Sequence, residues 1–370
     1  MPKVRQKHIL INAIHCKTGG GLVTLNHVIP YLAKDESFKV TVIANKGYEE
    51  RISMPENVNL QVVNVPESFL KMIWWEQVNI PKIARKLRAD ITFNFANYAP
   101  LMSPNNVLYI TNNPEVRHYV PFNEKLYWYA LIGMTTLSLF FSKVGFTNGR
   151  YIQGCYAMWP FSFLKKKMVV ATTACDVLKG CNPKKEYQIL AVGDFYPHKN
   201  YPLLLKAFSR VLNDLPDLKL NIIGRPVRVD IADEMKSLIK KLKLEGNVQL
   251  LGAKPLNETK ELMANSLVYV NPSDAETFSL TLLEAMTLGT ASIVKNYDFQ
   301  KEVSGESGAF YVPASNQEHL NVKLWSEAIV SLVQDENKRT MIEQNAMENV
   351  RDISWEKMAT TIVTQLKNIK

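Results

Sequence analysis

The sequence predicts an α/β protein with two doubly wound parallel sheets. Short apolar runs of buried-strand length alternate with helical periodicity along most of the chain. At 370 residues there is material for two domains. A polar stretch at 179–186 (KGCNPKKE), with a Gly and a Pro, reads as the linker between two series of strands and helices.

The first series opens with 8–14 (HILINAI), a near-continuous apolar run, followed by Lys17-Thr18-Gly19-Gly20-Gly21 and a helical pattern over 22–33. In this first βα unit, Gly20 and Gly21 either let a ligand approach the backbone at a helix start or simply form a tight turn. The string is neither GxGxxG nor a P-loop. Runs at 40–44, 60–65, 91–95, 107–110 and 168–172 read as further strands. Trp74-Trp75-Glu76-Gln77 leads into a helix ending at Leu87, whose Lys82, Arg85, Lys86 and Arg88 read as solvated surface. Residues 126–142 are uncharged for 17 positions, the lower limit for crossing a bilayer. Tyr127, Thr135, Thr136 and Ser138 dilute that run, so the expectation is a buried helix. Downstream, Trp159-Pro160-Phe161-Ser162-Phe163-Leu164 runs into Lys165-Lys166-Lys167, and aromatics beside a basic run suit an interfacial membrane contact.

The second series starts a new sheet at 187–192. Further strands are expected at 218–223, 248–251, 267–270 and 292–294, with helices at 201–212, 232–242, 259–264, 323–333 and 338–350. Ser354-Trp355-Glu356-Lys357 begins a final helix with Ser354 as its cap.

Composition narrows the function. An apolar fraction of 46% is that of a globular chain. Cys16, Cys155, Cys175 and Cys181 have no metal-ligand spacing and read as reduced thiols. No secretory signal is read at the N-terminus. Residues 1–180 carry 21 Lys+Arg against 11 Asp+Glu, a net +10, and the remaining 190 carry 23 against 24. The positive field therefore belongs to the first half. No nucleic-acid motif accompanies it, so the expectation is no nucleic acid but an anionic membrane surface or a phosphorylated acceptor.

The candidate site is the stretch Asn271–Gly289 (NPSDAETFSLTLLEAMTLG), a polar loop between a short strand and an apolar helix. In open α/β sheets ligands bind at such strand-to-helix turns. The first helix amides, around Thr277, Phe278, Ser279 and Leu280, lack intrahelical partners and favour a phosphate. Glu284, on an early helical turn, can accept two hydroxyl hydrogen bonds, as from a ribose. Glu276, in the loop, can reach a sugar beyond the phosphates. Two glutamates eight apart occur by chance as a solvated pair; the whole string carries the argument.

PSxxETFSLxLLEAMxxG resembles the Glu-x7-Glu motif of glycosyltransferase family 4, the retaining transferases of GT-B fold. The likeness is good from Gln188 onwards and looser before it. It implies two facing Rossmann-like domains with a cleft between them. The boundaries would be an acceptor-binding domain over 1–182, a nucleotide-sugar-binding domain over 183–352, and a last helix, 353–370, crossing back to the first domain. Asp194-Phe195-Tyr196-Pro197-His198-Lys199-Asn200 resembles the family's PxKN loop, which assigns Lys199 to the donor phosphates, where a cation stabilises the leaving diphosphate. Many members carry an Arg where Asp194 stands; Arg225 is the candidate replacement. Asn112-Asn113 stands where members commonly show His-Asp, so no general base is assigned there, and His15 and His118 are left as candidate contacts.

The resemblance implies a hexosyl transfer with Lys199 and Glu276 at the reacting end, and Gly20, Gly21, Arg225, Thr277, Phe278, Ser279, Leu280 and Glu284 holding the donor. The donor would be a UDP- or GDP-sugar acting as substrate, with no cofactor. The acceptor would be a glycan or lipid-linked hydroxyl in bacterial surface polysaccharide or lipopolysaccharide synthesis. No Asp-x-Asp triplet occurs, so no metal is expected. The expected location is the cytoplasm, peripheral on the inner face of the cytoplasmic membrane. The alternatives are an epimerase or phosphorylase on the same architecture, a non-catalytic scaffold subunit, and an NAD dehydrogenase, the last weakened by the missing GxGxxG.

Overall fold

The structure, a computed structural model, describes residues 5–17, 19–158, 160–176 and 183–370. Thr18, Trp159, Cys181 and the first half of the expected linker (179–182) lie outside the described residues. The chain divides into two compact units. Unit 1 comprises Met1–Arg117, Pro121–Thr173 and Ile353–Lys370; unit 2 comprises His118–Val120 and Ala174–Asp352. The main change of unit thus falls at Thr173/Ala174, ahead of the linker read from composition.

Unit 1 contains strands β1 (Lys7–Asn12), β2 (Phe38–Asn45), β3 (Asn59–Val63), β4 (Ile91–Asn94), β5 (Asn106–Ile110), β6 (Val144–Thr147) and β7 (Met168–Val170). Its helices include α1 (Gly20–Lys34), α2 (Phe69–Lys86), α3 (Phe122–Phe141) and α4 (Arg150–Tyr156). The strands form one parallel sheet in the order β3-β2-β1-β4-β5-β6-β7. β1 is central and apolar on both faces because both are covered. Ile9 and Ile11 pack with Leu25 and Val28 of α1, while Leu10 points the other way onto Ile80 and Ala84 of α2.

Three readings need correction in unit 1. Trp74–Gln77 lies inside α2 rather than ahead of a helix, and Glu76 is wholly buried. β6 was not anticipated, because Gly145 makes VGFT look like a loop. A Cβ there would lie 2.4 Å from Leu139 Cδ2, so the glycine is what lets α3 close onto the strand. α3 is not a buried helix. Leu131, Thr135, Ser138 and Leu139 face the protein, whereas Phe122, Leu126, Tyr129, Leu137, Phe140 and Phe141 are exposed.

Unit 2 contains β8 (Glu186–Val192), β9 (Lys219–Ile223), β10 (Val248–Gly252), β11 (Ser266–Asn271), β12 (Ala291–Lys295) and β13 (Phe310–Val312). Its helices are α5 (Tyr201–Val211), α6 (Val229–Lys241), α7 (Leu256–Asn265), α8 (Leu280–Thr287), α9 (Asp298–Ser304), α10 (Glu318–Gln334) and α11 (Glu336–Val350). The parallel order β10-β9-β8-β11-β12-β13 reverses direction between β8 and β11. That reversal is a topological switch point, where strand ends splay apart and leave room for a ligand.

The chain then returns to unit 1 as α12 (Trp355–Asn368), with the Ser354 side chain accepting from the Lys357 amide at 3.2 Å. Met358, Ile362 and Leu366 join the core cluster of β1 and α1. Trp355 stacks on His27 of α1 with ring centroids 4.0 Å apart, a packing anchor at the start of the helix.

Candidate functional site

Two loops of unit 2 leave the C-terminal ends of β8 and β11, the strands flanking the switch point. The first holds a 3-10 turn over Pro197–Lys199, closed by Asn200 in the left-handed region at φ 54°, a conformation Asn tolerates better than most residues. Gly224, at the end of β9, lies beneath this loop. A Cβ there would lie 2.0 Å from the Gly193 carbonyl oxygen, so only glycine permits the approach.

The second loop runs from Pro272 to the helix N-cap at Ser279. It is sewn to the first by several bonds. The Asp274 amide donates to the His198 carbonyl at 2.7 Å, and Ser273 Oγ donates to the same oxygen at 3.1 Å. Asn200 Nδ2 donates to Asp274 Oδ2 at 2.9 Å, and the buried Lys295 ammonium pairs with the other oxygen. Burial pushes the Asp274 carboxyl up, against the pull of Lys295. Sequence reasoning assigned no role to Asp274 or Lys295. The available signal was Lys295 itself, a cation ending the buried strand ASIVK.

This clamp brings Lys199 and Glu276 together at 2.6 Å, with their side chains 15% and 13% exposed. Burial pushes the Glu276 carboxyl up, but the Lys199 ammonium and its hydrogen bond outweigh that and leave it below the ordinary value. His198 is pushed down to about 4 by burial and by Lys199, so its imidazole is neutral at pH 7. Lys199 therefore carries the positive charge of this turn.

Arg225 reaches the loop but arrives paired. Its Nε lies 3.1 Å from each Asp194 oxygen and its Nη2 2.5 Å from Oδ2. Burial raises the Asp194 carboxyl and Arg225 pulls it below its usual value. The residue standing in the usual arginine's place thus holds its candidate replacement, and the pair adds no net charge.

α8 begins one turn later than the sequence suggested. Ser279 is the N-cap and Leu280 the first helical residue, so the unpartnered amides are those of Leu280, Thr281 and Leu282 rather than Thr277 to Leu280. No side chain caps them: Ser279 Oγ accepts from Asn271 Nδ2 at 2.9 Å. The Phe278 side chain is buried, so any ligand contact there is made by backbone. Thr277 lies in the loop just before it. Glu284 falls on the second turn of α8, and burial raises its carboxyl to about 7, with Lys260 opposing and Asp176 assisting. Gly20 and Gly21 are the first two residues of α1 in unit 1, after Gly19 at φ 77°. Asn112 accepts from Tyr156 Oη at 2.8 Å, and Asn113 accepts from the Glu115 amide at 2.8 Å. His118 is the exposed last residue of a 3-10 turn whose Pro114 and Val116 are buried.

Two parallel α/β sheets, with a cationic turn and a Glu-bearing helix at the second switch point, define the GT-B class. Residues 179–349 match the family of glycosyl transferases group 1. The chain is 32% identical over 151 residues to the O-antigen chain mannosyltransferase RfbU of Salmonella typhimurium, which covers 41% of this chain and 40% of the relative. It is 28% identical over 167 residues to the poly(glycerol-phosphate) alpha-glucosyltransferase of Bacillus subtilis, covering 45% of this chain and 24% of the relative. The chain thus spans less than half the length of these curated relatives. In fold it is similar to Anabaena HepE in complex with UDP and glucose, at TM-score 0.75 and 14% identity over 98% of this chain and 100% of that one. Sucrose-phosphate synthase from Thermosynechococcus elongatus superposes at TM-score 0.78 and 15% identity, covering 98% of each chain.

Proposed function

We propose that this protein is a retaining glycosyltransferase that moves a hexosyl group from a nucleotide diphosphate-sugar to a glycan or lipid-linked hydroxyl. The observation that carries the reading is the Lys199–Glu276 pair held at the switch point beside the uncapped start of α8. As the anomeric C–O bond breaks, its electron pair leaves with the diphosphate. Lys199 and the amides of Leu280 to Leu282 meet that charge, so their stabilisation grows towards the transition state. This positive charge comes from the chain, and no metal is called for. Glu276, already at the Lys199 ammonium, accepts hydroxyls of the transferred sugar, and Glu284 accepts the ribose hydroxyls. Unit 1 takes the acceptor.

A UDP- or GDP-sugar donor is supported by HepE, solved with UDP and glucose, and by the mannosyltransferase relative. Surface polysaccharide synthesis is supported by the same O-antigen relative. Peripheral attachment at the cytoplasmic membrane is supported by the exposed apolar face of α3 and by Lys165 and Lys166 beside Phe161 and Phe163. None of the helices among the described residues is long and apolar enough to cross a bilayer.

The test is thermal stabilisation by UDP, GDP, ADP and CMP on wild type and Glu284→Ala. A nucleotide at about 100 times its dissociation constant adds roughly 2.7 kcal/mol, readily seen in a melt. One nucleotide is expected to raise the wild-type midpoint and to lose most of that effect in the variant. Stabilisation by none of them would favour a non-catalytic scaffold.

A further inference from the structure

Three loops of unit 2 leave the C-terminal ends of β8, β11 and β12, and one carboxylate joins them. Asp274, in the loop after β11, has each oxygen committed to a different neighbour. Oδ2 accepts from Asn200 of the loop after β8, and Oδ1 takes the ammonium of Lys295, the last residue of β12. The Asp274 amide donates to the His198 carbonyl. Asp274 therefore holds the first loop at residues 198 and 200, on either side of Lys199, and only Ala275 separates it from Glu276. The Lys199 stem runs across Gly193, where a Cβ would lie 3.1 Å from its Cε. With the stem packed there, the backbone of the turn sets the place of the ammonium, and Asp274 sets the turn.

Lys295 keeps 5% of its side chain exposed, and among the described residues no second carboxylate pairs with it. Its ammonium also lies 5.7 Å from the centre of the Tyr297 ring, in the loop that follows β12. A buried ion pair of this kind adds little stability over an apolar pair of similar volume. What it adds is direction: the ammonium fixes one carboxylate oxygen and thereby aims the other at Asn200. Asn200 sits at φ 54°, a conformation that persists only where the surroundings hold it. A run of polar contacts thus leads from Lys295 through Asp274 to the residue next to Lys199.

From this we infer that Lys295 and Asp274 are positioning residues of the donor site. Together they hold the turn that carries Lys199 and the loop that carries Glu276 in the register at which Lys199 meets the donor diphosphate. Lys295 acts on Lys199 through Asp274 and Asn200, not on the donor itself. The consequence for the donor rests on the glycosyltransferase reading; the coupling of Lys295 to Lys199 does not.

Two measurements on the full chain test this. The first is a double-mutant cycle read by isothermal titration with UDP and GDP. Lys295→Met is expected to weaken whichever diphosphate binds by about tenfold, and Lys295→Arg to restore most of that loss. In a Lys199→Met background, Lys295→Met is expected to change the affinity by less than about twofold. A loss of packing alone would weaken binding equally in both backgrounds, which would overturn the inference. Lys295→Met leaves Asp274 buried without its cation, so Asp274→Leu with Lys295→Met is made as well. That apolar pair is expected to melt close to wild type and still to bind the diphosphate about tenfold more weakly. Wild-type affinity in a normally folded double variant would equally overturn the inference. The second measurement needs no nucleotide: acetylation of lysines by sulfo-NHS-acetate, followed residue by residue by mass spectrometry. Lys199, 15% exposed and paired with Glu276 in the wild type, is expected to react several-fold faster in the double variant, with Lys236 on the surface of α6 unchanged. An unchanged Lys199 rate would refute the coupling. A faster Lys199 in a protein that binds neither UDP nor GDP would sink the donor reading and leave the coupling standing.

Discussion

Glu284 is placed where its ionised form is costly. Burial raises its carboxyl to about 7, well above its value in an unfolded chain. Such a group favours the folded state below the unfolded value, and that contribution is lost as the pH rises through about 7. Above pH 7 the wild type therefore carries a cost on the order of 3 kcal/mol that Glu284→Gln lacks. The variant is expected to melt higher than wild type at pH 8.5 and to match it near pH 5. Nucleotide affinity runs the other way. Hydroxyl donation favours the carboxylate, so binding strengthens as the pH rises from 6 to 8 in wild type and stays flat and weak in the variant. Isothermal titration at several pH values checks this, and a parallel loss of stability and affinity in Glu284→Gln would refute it. At this scale the sequence was half legible. Lys199, Glu276 and Glu284 were singled out because their strings resemble a family's motifs, and the structure brings the first two together. Asp274 was not, since its meaning arises only when its loop meets Asn200 and the end of β12 at Lys295. Glu76 was hidden for the same reason: a lone Glu in a helical pattern reads as surface until the fold puts Asn12 beside it.

α3 shows where pattern alone misleads. An uncharged run was read as burial, but the polar Thr135 and Ser138 face inward while Phe122, Leu126, Leu137 and Phe140 face out. Those two hydroxyls donate to backbone carbonyls at 2.8 Å and 3.4 Å, which satisfies them without water. The tighter strand–helix contact at Gly145 then takes the small side of the helix. Lys143, Lys165 and Lys166 are also exposed, and the proposal of an anionic lipid surface for that outer face can be tested directly. Leu126→Ser with Lys165→Glu and Lys166→Glu is expected to reduce sedimentation with vesicles of phosphatidylglycerol and phosphatidylcholine by roughly tenfold or more, at about 1 kcal/mol for each lysine lost. The melting temperature should hardly move, because these side chains pack on nothing. Equal sedimentation of variant and wild type would remove this face from the membrane reading. Strands were easier. A buried parallel strand is apolar at every position, and β1, β5, β8 and β11 announce themselves that way. The short β6 and β13 do not.

Across the whole molecule, two sheets with reversed strand order were foreseeable from the alternation of elements, whereas the boundary was not, since composition marks polar chain rather than where packing changes. α12 belongs to the core of unit 1 through Met358, Ile362 and Leu366, each at most 2% exposed. Lys7 Nζ adds a bond to the Ile369 carbonyl at 2.7 Å, and Lys367 pairs with Asp35 at 2.7 Å. Leu366→Ala is expected to cost about 2–5 kcal/mol. In urea this should appear in the transition of unit 1, while the transition that responds to nucleotide stays in place; a shift of both would mean that the units unfold as one.

That return of the chain sets an order of assembly on the ribosome. Unit 2 is almost continuous in sequence, so its sheet can close while the last segment is still in the exit tunnel. The β1–α1 layer, though translated before unit 2, stays open on the side that α12 covers until residues 355–368 have emerged. Unit 1 is therefore begun before unit 2 and completed after it. During that interval its apolar flank lacks its cover, and a stop codon ahead of residue 355 would be felt in unit 1.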